Sequence, residues 1–314
     1  MPFIALLLCL FMSLQVNAKQ LTFNSFQQDG NTEFQYTWLD QMGKTQELSF
    51  ALNSANVNGD YRHFKALRPS LLHMYSVRKL KQAASQLDPR KGSVKIHSRV
   101  NRVEYEIKGL EQTWIDEQAK ALSMVYQNSL LEYLQQEYYT EFPGFHQYSS
   151  VKTYKPDHKR FAQESAKSFA PIIAQFRQKM PRANARRVAT FLLSWLQTIP
   201  YSTMESRSES NGAGFVPPIR LIANNKGDCD SKVTLMASIM KAMFPRLRIA
   251  LIYIPGHALI GLNVSHLVDD EKLEINGLDY TLAEPVGPGL IKFAEISNDS
   301  KRYIDSGNYQ VELL

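Results

Sequence analysis

Residues 225–232 carry the side chains best suited to chemistry. They read Asn-Lys-Gly-Asp-Cys-Asp-Ser-Lys, and apolar residues follow at helical spacing. Asp228 is a good N-cap and Gly227 permits a sharp turn into a helix, so the pattern predicts a helix that begins at Cys229. Free N–H groups at such a helix end favour a thiolate and can help to bind an oxyanion. Asp228 and Asp230 oppose a thiolate electrostatically, so a nucleophilic Cys229 needs a base nearby.

The downstream elements place a histidine and an acid after this helix. The run Ile249–Ile254 is typical of a buried strand, a Pro-Gly turn follows, and His257 opens the next strand. An Asn-Gly pair at Asn276 is a strong hairpin signal, and its return strand ends at Glu284. The predicted order is therefore a helix with cysteine, a strand, a strand with histidine and a strand ending in an acid.

This order resembles the transglutaminase-like superfamily. The resemblance rests on Gly-Asp-Cys-Asp at the head of a helix, on a strand-borne histidine after a turn, and on Glu284 followed by a proline. An Ile-Pro-Tyr sequence that ends at Tyr201 and a Pro-Pro-Ile-Arg-Leu approach to Cys229 also look like its bacterial members. The resemblance covers about residues 185–288, roughly a third of the chain.

The resemblance implies an α+β fold with a papain-like core, in which the cysteine-bearing helix packs on an antiparallel sheet. It also implies a catalytic triad. Cys229 would be the nucleophile, His257 would take the thiol proton and later protonate the leaving amine, and Glu284 would orient the imidazole. Asn225 and Tyr201 are the candidates for a second oxyanion donor.

Two residues depart from the family pattern. The third member of the triad is usually Asp, and Glu284 is one methylene longer; Leu259 stands where many members carry an aromatic residue. Structural alternatives exist for each site residue. Cys229 can be an inert buried thiol, His257 a packed core histidine, and Glu284 a surface acid at a strand end.

The remaining composition argues against several other kinds of site. The formal net charge is +6, but Lys and Arg are scattered among acids, and no zinc-finger spacing or RNA-binding aromatic box is present, so no nucleic-acid partner is expected. No zinc-binding pattern matches the spacing of Asp228, Asp230, His257 and His266. The sequence also lacks a loop of alternating carboxylates, which a calcium site would need. We therefore expect no metal and no cofactor.

Residues 1–18 have the pattern of a cleaved export signal. An apolar run of about 11 residues, too short to span a bilayer, precedes the small-residue pattern that ends at Ala18, although no Lys or Arg precedes the run. An uncleaved membrane anchor is the alternative, and no later stretch is long and apolar enough to span. Cleavage would remove Cys9 and leave Cys229 as a lone thiol in a periplasmic or secreted protein.

Three regions should follow the signal. Residues 19–110 alternate mostly with period two, including a hairpin with Phe34–Trp38 and Leu48–Leu52, and predict a small β-rich α+β region. Residues 111–180 predict a helical segment, with one helix near 113–134 and another over 157–179. Residues 181–314 form the predicted catalytic core, in which the polar loop 202–218 is a candidate lid.

Two functions fit this sequence. The first is an exported cysteine hydrolase or acyltransferase that acts on peptide or amide bonds of a peptide, protein or cell-wall substrate through a thioester. The second is a catalytically degenerate transglutaminase-like fold that serves as a periplasmic binding or scaffolding protein. The Glu at the third triad position and the large amino-terminal region favour the second.

Overall fold

The computed structural model describes residues 18–99, 102–145, 153–287 and 289–314. The helices are α1 Ser54–Gly59, α2 Pro69–Ala84, α3 Gln112–Gln136, α4 His158–Ser165, α5 Ala170–Lys179, α6 Ala185–Thr198, α7 Arg207–Ser210, α8 Pro218–Asn224, α9 Cys229–Met243 and α10 Asn298–Asp305. The strands are β1 Lys19–Gln28, β2 Asn31–Leu39, β3 Thr45–Asn53, β4 Gly92–Ser98, β5 Val103–Gly109, β6 Tyr139–Phe142, β7 Thr153–Pro156, β8 Ile249–Ile254, β9 His257–Leu262, β10 Lys272–Ile275, β11 Leu278–Ala283 and β12 Gln310–Leu313. Helices and antiparallel sheets occur together, which confirms the α+β class.

A five-stranded antiparallel sheet, in the order β10-β11-β9-β8-β12, is the platform for the carboxyl-terminal half. Every residue of β8 is buried, as its unbroken apolar sequence predicts. Helix α9 packs against β8 and β9, and its Val233, Met236 and Met240 are fully or almost fully buried. The sheet therefore fixes the position of the helix that Cys229 begins.

The amino-terminal strands β1, β2 and β3 form an antiparallel meander. Phe34, Tyr36 and Trp38 alternate into the buried face, which confirms the predicted hairpin of β2 and β3. This face belongs to the same hydrophobic core as α5, α6 and α9. The Trp38 indole N–H donates to Ser194 Oγ at 3.0 Å, so the meander is tied to α6 by a buried polar contact as well as by apolar packing.

The helical region differs from the sequence prediction in two places, and the first is the short antiparallel pair β6 and β7 that it contains. The prediction of a single helix over residues 157–179 is wrong. Two helices, α4 and α5, occupy this stretch, and a 3₁₀ turn, Ala166–Phe169, separates them. Pro171 lies in the first turn of α5 and lacks an N–H, and its ring would clash with the carbonyl four residues earlier in a continuous α-helix. Helix α3 spans the predicted 113–134 stretch with a slight extension at each end.

Within the described ranges, no helix combines the length and hydrophobicity that crossing a bilayer requires. The predicted export signal, except for Ala18, lies outside the described residues.

Candidate active site

Cys229 is the first residue of α9, and the two residues before it fix this position. The Asp228 carboxylate accepts a hydrogen bond from the Ser231 N–H at 3.0 Å and caps the helix, as the sequence predicts. Gly227 is required for close approach: a Cβ there would lie 2.7 Å from Leu221 Cδ1. The Cys229 thiol is thereby held, half-buried, where the free N–H groups of the first turn are closest.

His257 begins β9 directly after the turn that joins it to β8, opposite Ile254. Its Nε2 lies 3.7 Å from Glu284 Oε2, an ion-pair distance slightly longer than a hydrogen bond. The imidazole keeps 24% of its side-chain surface exposed, whereas the Glu284 side chain keeps 5%. Because Nε2 faces the acid, Nδ1 is the nitrogen left to exchange a proton with a thiol or a substrate.

The buried Glu284 carboxylate is fixed by a residue that the sequence reasoning did not single out. Ser297 caps α10 and donates to Glu284 Oε1 through both its N–H and its Oγ, each at 3.0 Å. One oxygen of Glu284 is thus anchored while the other faces His257. The only sequence signal for this anchor is that Ser297 is a good helix N-cap.

The surroundings of Glu284 favour its ionised form. Burial alone raises the pKa of the carboxyl, but the facing His257 imidazole and hydrogen bonds from Ser300 and Ser297 outweigh it, and the net pKa is lowered. The Glu284 carbonyl also accepts from the Gln197 side chain at 2.9 Å, which ties the end of β11 to α6. An ionised, immobilised acid is the partner that a histidine base needs when it gains a proton.

The environment of the thiol differs from the simple expectation for a helix end. Burial raises the pKa of Cys229, and Asp230 and Asp228 raise it further in their ionised forms. The thiol donates to Asp230 Oδ1 at 3.6 Å and not to His257. The resting cysteine is therefore a neutral thiol in this structure.

The two oxyanion candidates lie in different environments. Tyr201 is 50% exposed, and its main chain forms a bridge with Gly227 at the approach to Cys229. Burial of part of the ring and the neighbouring Cys229 raise the pKa of the phenol, which stays a donor at neutral pH. Asn225 adopts the left-handed conformation at the end of α8, and its amide exchanges two hydrogen bonds with Gln20, at 3.0 and 2.7 Å.

The first turn of α9 also contains a buried lysine. Lys232 is fully buried, and its Nζ donates to the Ile199 carbonyl oxygen at 2.5 Å. Burial lowers the pKa of Lys232 to about 7, although Asp228 and Cys229 favour its charged form. Burial and Asp230 raise the pKa of Asp228 to about 7. Two buried groups beside the thiol therefore titrate close to neutral pH.

The predicted lid, residues 202–218, contains the single turn α7 and several anchoring contacts. Lys226 pairs with Glu209 at 2.9 Å, and the Val216 N–H donates to Ser231 Oγ at 2.9 Å. Phe215 is buried against Phe161. These contacts attach the loop to the region around α9.

Comparisons with protein-family models, curated proteins and solved structures found no match to this chain. Among the described residues, no group of three or more His, Cys, Asp or Glu side chains is arranged to hold a metal ion. The structure brings His257 to Glu284, and it places Tyr201 beside the Cys229 end of α9.

Proposed function

We propose that this chain is an exported cysteine hydrolase or acyltransferase of the transglutaminase-like superfamily, with a papain-like core and a Cys229–His257–Glu284 triad. It would act on peptide or amide bonds of peptides, proteins or cell-wall material. The observation that carries the proposal is the anchored Glu284 carboxylate facing the His257 imidazole 3.7 Å away, next to the helix that Cys229 begins.

The reaction would follow from these positions. His257 Nδ1 takes the Cys229 proton as the sulfur attacks the carbonyl carbon, and Glu284 stabilises the imidazolium. N–H groups at the start of α9, with the Tyr201 phenol, would bind the oxyanion. The amine leaves with the proton from His257, and a thioester to Cys229 remains. Water or a second amine then attacks the thioester and gives its proton to His257. The C–S bond breaks, the acyl group leaves as acid or amide, and the Cys229 sulfur takes the proton back from His257.

The raised pKa of the thiol has a consequence for this mechanism. A neutral thiol is a poor nucleophile, so proton transfer to His257 must accompany the attack. A substrate that covers the site would bring Cys229 and the imidazole together in a dry environment, where the ion pair is stronger. Reactivity in the free protein would therefore be low.

Acylation by an activated acyl donor tests the proposal. The chain is incubated with a p-nitrophenyl ester, and the mass of the peptide that contains Cys229 is measured. We expect one acyl adduct on Cys229, none in Cys229→Ala, and at least about a 10²-fold slower adduct in His257→Ala. Added primary amine would shorten the life of the adduct in an acyltransferase more than in a hydrolase. Equal acylation of wild type and His257→Ala would reject the triad.

One observation favours the binding or scaffolding function as a second candidate. The thiol donates to Asp230 and not to His257, and its pKa is raised, as expected of an inactive cysteine. In that case Cys229 should resist acylation. Binding of a periplasmic partner would then survive the loss of both Cys229 and His257.

Export is part of the proposal. The apolar run and the small residues up to Ala18 support cleavage before Lys19. Mass spectrometry of the chain expressed in a bacterium with its amino terminus intact tests this directly. A mature protein that begins at Lys19 is expected, and a full-length product anchored in the membrane fraction would contradict it.

A further inference from the structure

A network of polar side chains lies behind Cys229 and plays no part in the triad. Its centre is His158, the first residue of α4, which is 1% exposed. His158 Nδ1 lies 3.0 Å from the Tyr253 hydroxyl, and His158 Nε2 lies 3.9 Å from Asp230 Oδ2. The other oxygen of Asp230 accepts the hydrogen bond from the Cys229 thiol. His158 is therefore linked to the thiol through one carboxyl group.

Hydrogen-bond donors in this network fix the tautomer of His158. The Tyr253 hydroxyl has one proton, and it donates this proton to Glu312 Oε2 at 2.8 Å. Lys155 Nζ holds the same Glu312 oxygen at 2.7 Å and contacts the Tyr253 hydroxyl at 3.3 Å. The Tyr253 oxygen can therefore only accept from His158, so Nδ1 carries the imidazole proton and Nε2 presents a lone pair.

The lone pair on His158 Nε2 is buried and has no hydrogen-bond partner in this structure. The nearest polar group is the Asp230 carboxyl. A lone pair facing an ionised carboxylate is repulsive, and an unpaired buried nitrogen is costly. Both costs disappear when a proton lies between the two groups. Asp230 can turn to close the gap, because its side chain is 32% exposed and its carboxyl accepts, among the described side chains, only from Cys229.

We propose that His158 is a positioning residue for Cys229: it and Asp230 share one proton between His158 Nε2 and Asp230 Oδ2, which keeps Asp230 neutral while the thiolate forms. The proposal rests on the proposed function in one respect, the role of Cys229 as nucleophile. It removes the main difficulty of that function, since an ionised Asp230 beside the thiol would oppose the thiolate. The proton stays bonded to Asp230 Oδ2 and is donated as a hydrogen bond to the lone pair of His158 Nε2, so no covalent bond to it breaks.

The charges that face the pair agree with this assignment. They come from Lys155 on β7, Tyr253 on β8, His257 on β9, Glu312 on β12, and Asp228 and Cys229 on or beside α9. Burial and then Lys155 lower the pKa of His158, so the imidazole is neutral. Burial raises the pKa of Asp230, although Lys155, Cys229 and His257 oppose the rise. The proton is therefore held mainly by Asp230.

The pH dependence of Cys229 alkylation by iodoacetamide tests the proposal in the full chain. Asp230→Asn has the shape of the protonated acid and can donate to His158, so its midpoint should equal that of the wild type. His158→Phe has no hydrogen-bond acceptor for that proton, so Asp230 ionises and the midpoint should rise by about one unit. The double variant should return to the wild-type midpoint. A midpoint at least one unit lower in Asp230→Asn alone would overturn the proposal, because Asp230 would then be charged in the wild type.

Two controls separate this role from packing. Phe215→Leu loosens the ring that packs on His158, with centroids 4.6 Å apart, but changes no charge, so it should leave the midpoint unchanged. If His158→Phe fails to fold, ¹⁵N NMR of the wild-type imidazole replaces it. We expect His158 to carry its proton on Nδ1 with Nε2 hydrogen-bonded as an acceptor. An Nε2–H tautomer would overturn the proposal.

The same experiments distinguish failure of this inference from failure of the proposed function. His257→Ala should change the alkylation midpoint if the triad operates, whatever His158 does. A midpoint sensitive to His257 and insensitive to His158 rejects only the shared proton. The NMR tautomer is measured without any reaction of Cys229, so it decides the inference even if the thiol proves inert.

Discussion

Glu284 faces His257 with one oxygen and Ser297 with the other. The Oε2–Nε2 distance to the imidazole is 3.7 Å, and both Ser297 donors lie 3.0 Å from Oε1. The side chain of Glu, one methylene longer than that of Asp, makes this double contact from the end of β11. The acid is therefore positioned by the start of α10 and not only by its own strand.

The length and charge of Glu284 can be separated by two substitutions. Glu284→Gln keeps the length and the contact with Ser297 but cannot stabilise an imidazolium, so Cys229 acylation should fall by about 10²-fold or more. Glu284→Asp keeps the charge but cannot reach both partners, and we expect a smaller loss. Acylation rates of the two variants with the same p-nitrophenyl ester measure the difference. A wild-type rate in Glu284→Gln would remove Glu284 from the triad.

Ser297 should matter for reactivity as well as for stability. Ser297→Ala loses a helix cap and the Oγ contact with Glu284, so the free energy of unfolding should fall by about 1 kcal/mol and acylation should slow several-fold. Asn184 is a matched control, because its side chain caps α6 by accepting from the Arg187 N–H at 3.0 Å and does not touch the triad. Asn184→Ala should lose similar stability in urea unfolding and keep the wild-type acylation rate. Equal rates in both variants would show that Ser297 only caps.

Local patterns were sufficient to predict the elements that carry the site. Alternation predicts β2 and β3, the apolar run predicts β8, and the Asp228 cap places Cys229 at the start of α9. In each case neighbouring residues decide the structure, because the signal is a period of side-chain burial or a hydrogen bond to the next turn. Pro171 shows the limit of local patterns: the spacing of apolar residues over 157–179 predicts one helix, whereas the proline begins a new one.

The contacts that tune the site could not be predicted, because they join residues that are distant in the sequence. Asn225 pairs with Gln20, which is 205 positions away, and His158 meets Tyr253, 95 positions away. Such pairs depend on how sheets and helices pack, which no local pattern encodes. The raised pKa of Cys229 has the same origin, since burial outweighs the helix-end effect that the sequence predicts.

The buried Asp228 should make stability fall as pH rises through the acid range. Its pKa is raised from an ordinary 3.8 to about 7, so the folded state binds the extra proton between these values. The stabilising contribution is complete below pH 3.8 and is lost as pH approaches 7, with a slope of at most about 1.4 kcal/mol per pH unit. Asp228→Asn keeps the cap and cannot ionise, so urea unfolding of this variant should lack the fall. Parallel pH profiles of the two proteins would contradict the raised pKa.

The buried Lys232 should make the free energy of unfolding increase with pH in the neutral to alkaline range. Its pKa is lowered from 10.5 to about 7, so the unfolded state binds more protons between these values, and stability should rise with pH across this window. Lys232→Met removes the charge and should abolish the rise. It also leaves the Ile199 carbonyl without its 2.5 Å hydrogen bond, so its stability at pH 10 should be below that of the wild type. Urea unfolding from pH 7 to 10 checks both effects, and a flat wild-type profile would contradict the assignment.

Tyr201 and Asn225 compete for the role of second oxyanion donor, and their surroundings predict the outcome. The Tyr201 phenol is half exposed beside Cys229, whereas the Asn225 amide is occupied by Gln20. Tyr201→Phe should slow Cys229 acylation by about 10²-fold with little change in stability, as loss of one oxyanion donor does elsewhere. Asn225→Gly accepts the left-handed backbone at φ 47° and removes the amide, so its rate should fall far less. A larger loss in Asn225→Gly would assign the oxyanion to the amide, and Gln20 would then have to move away during the reaction.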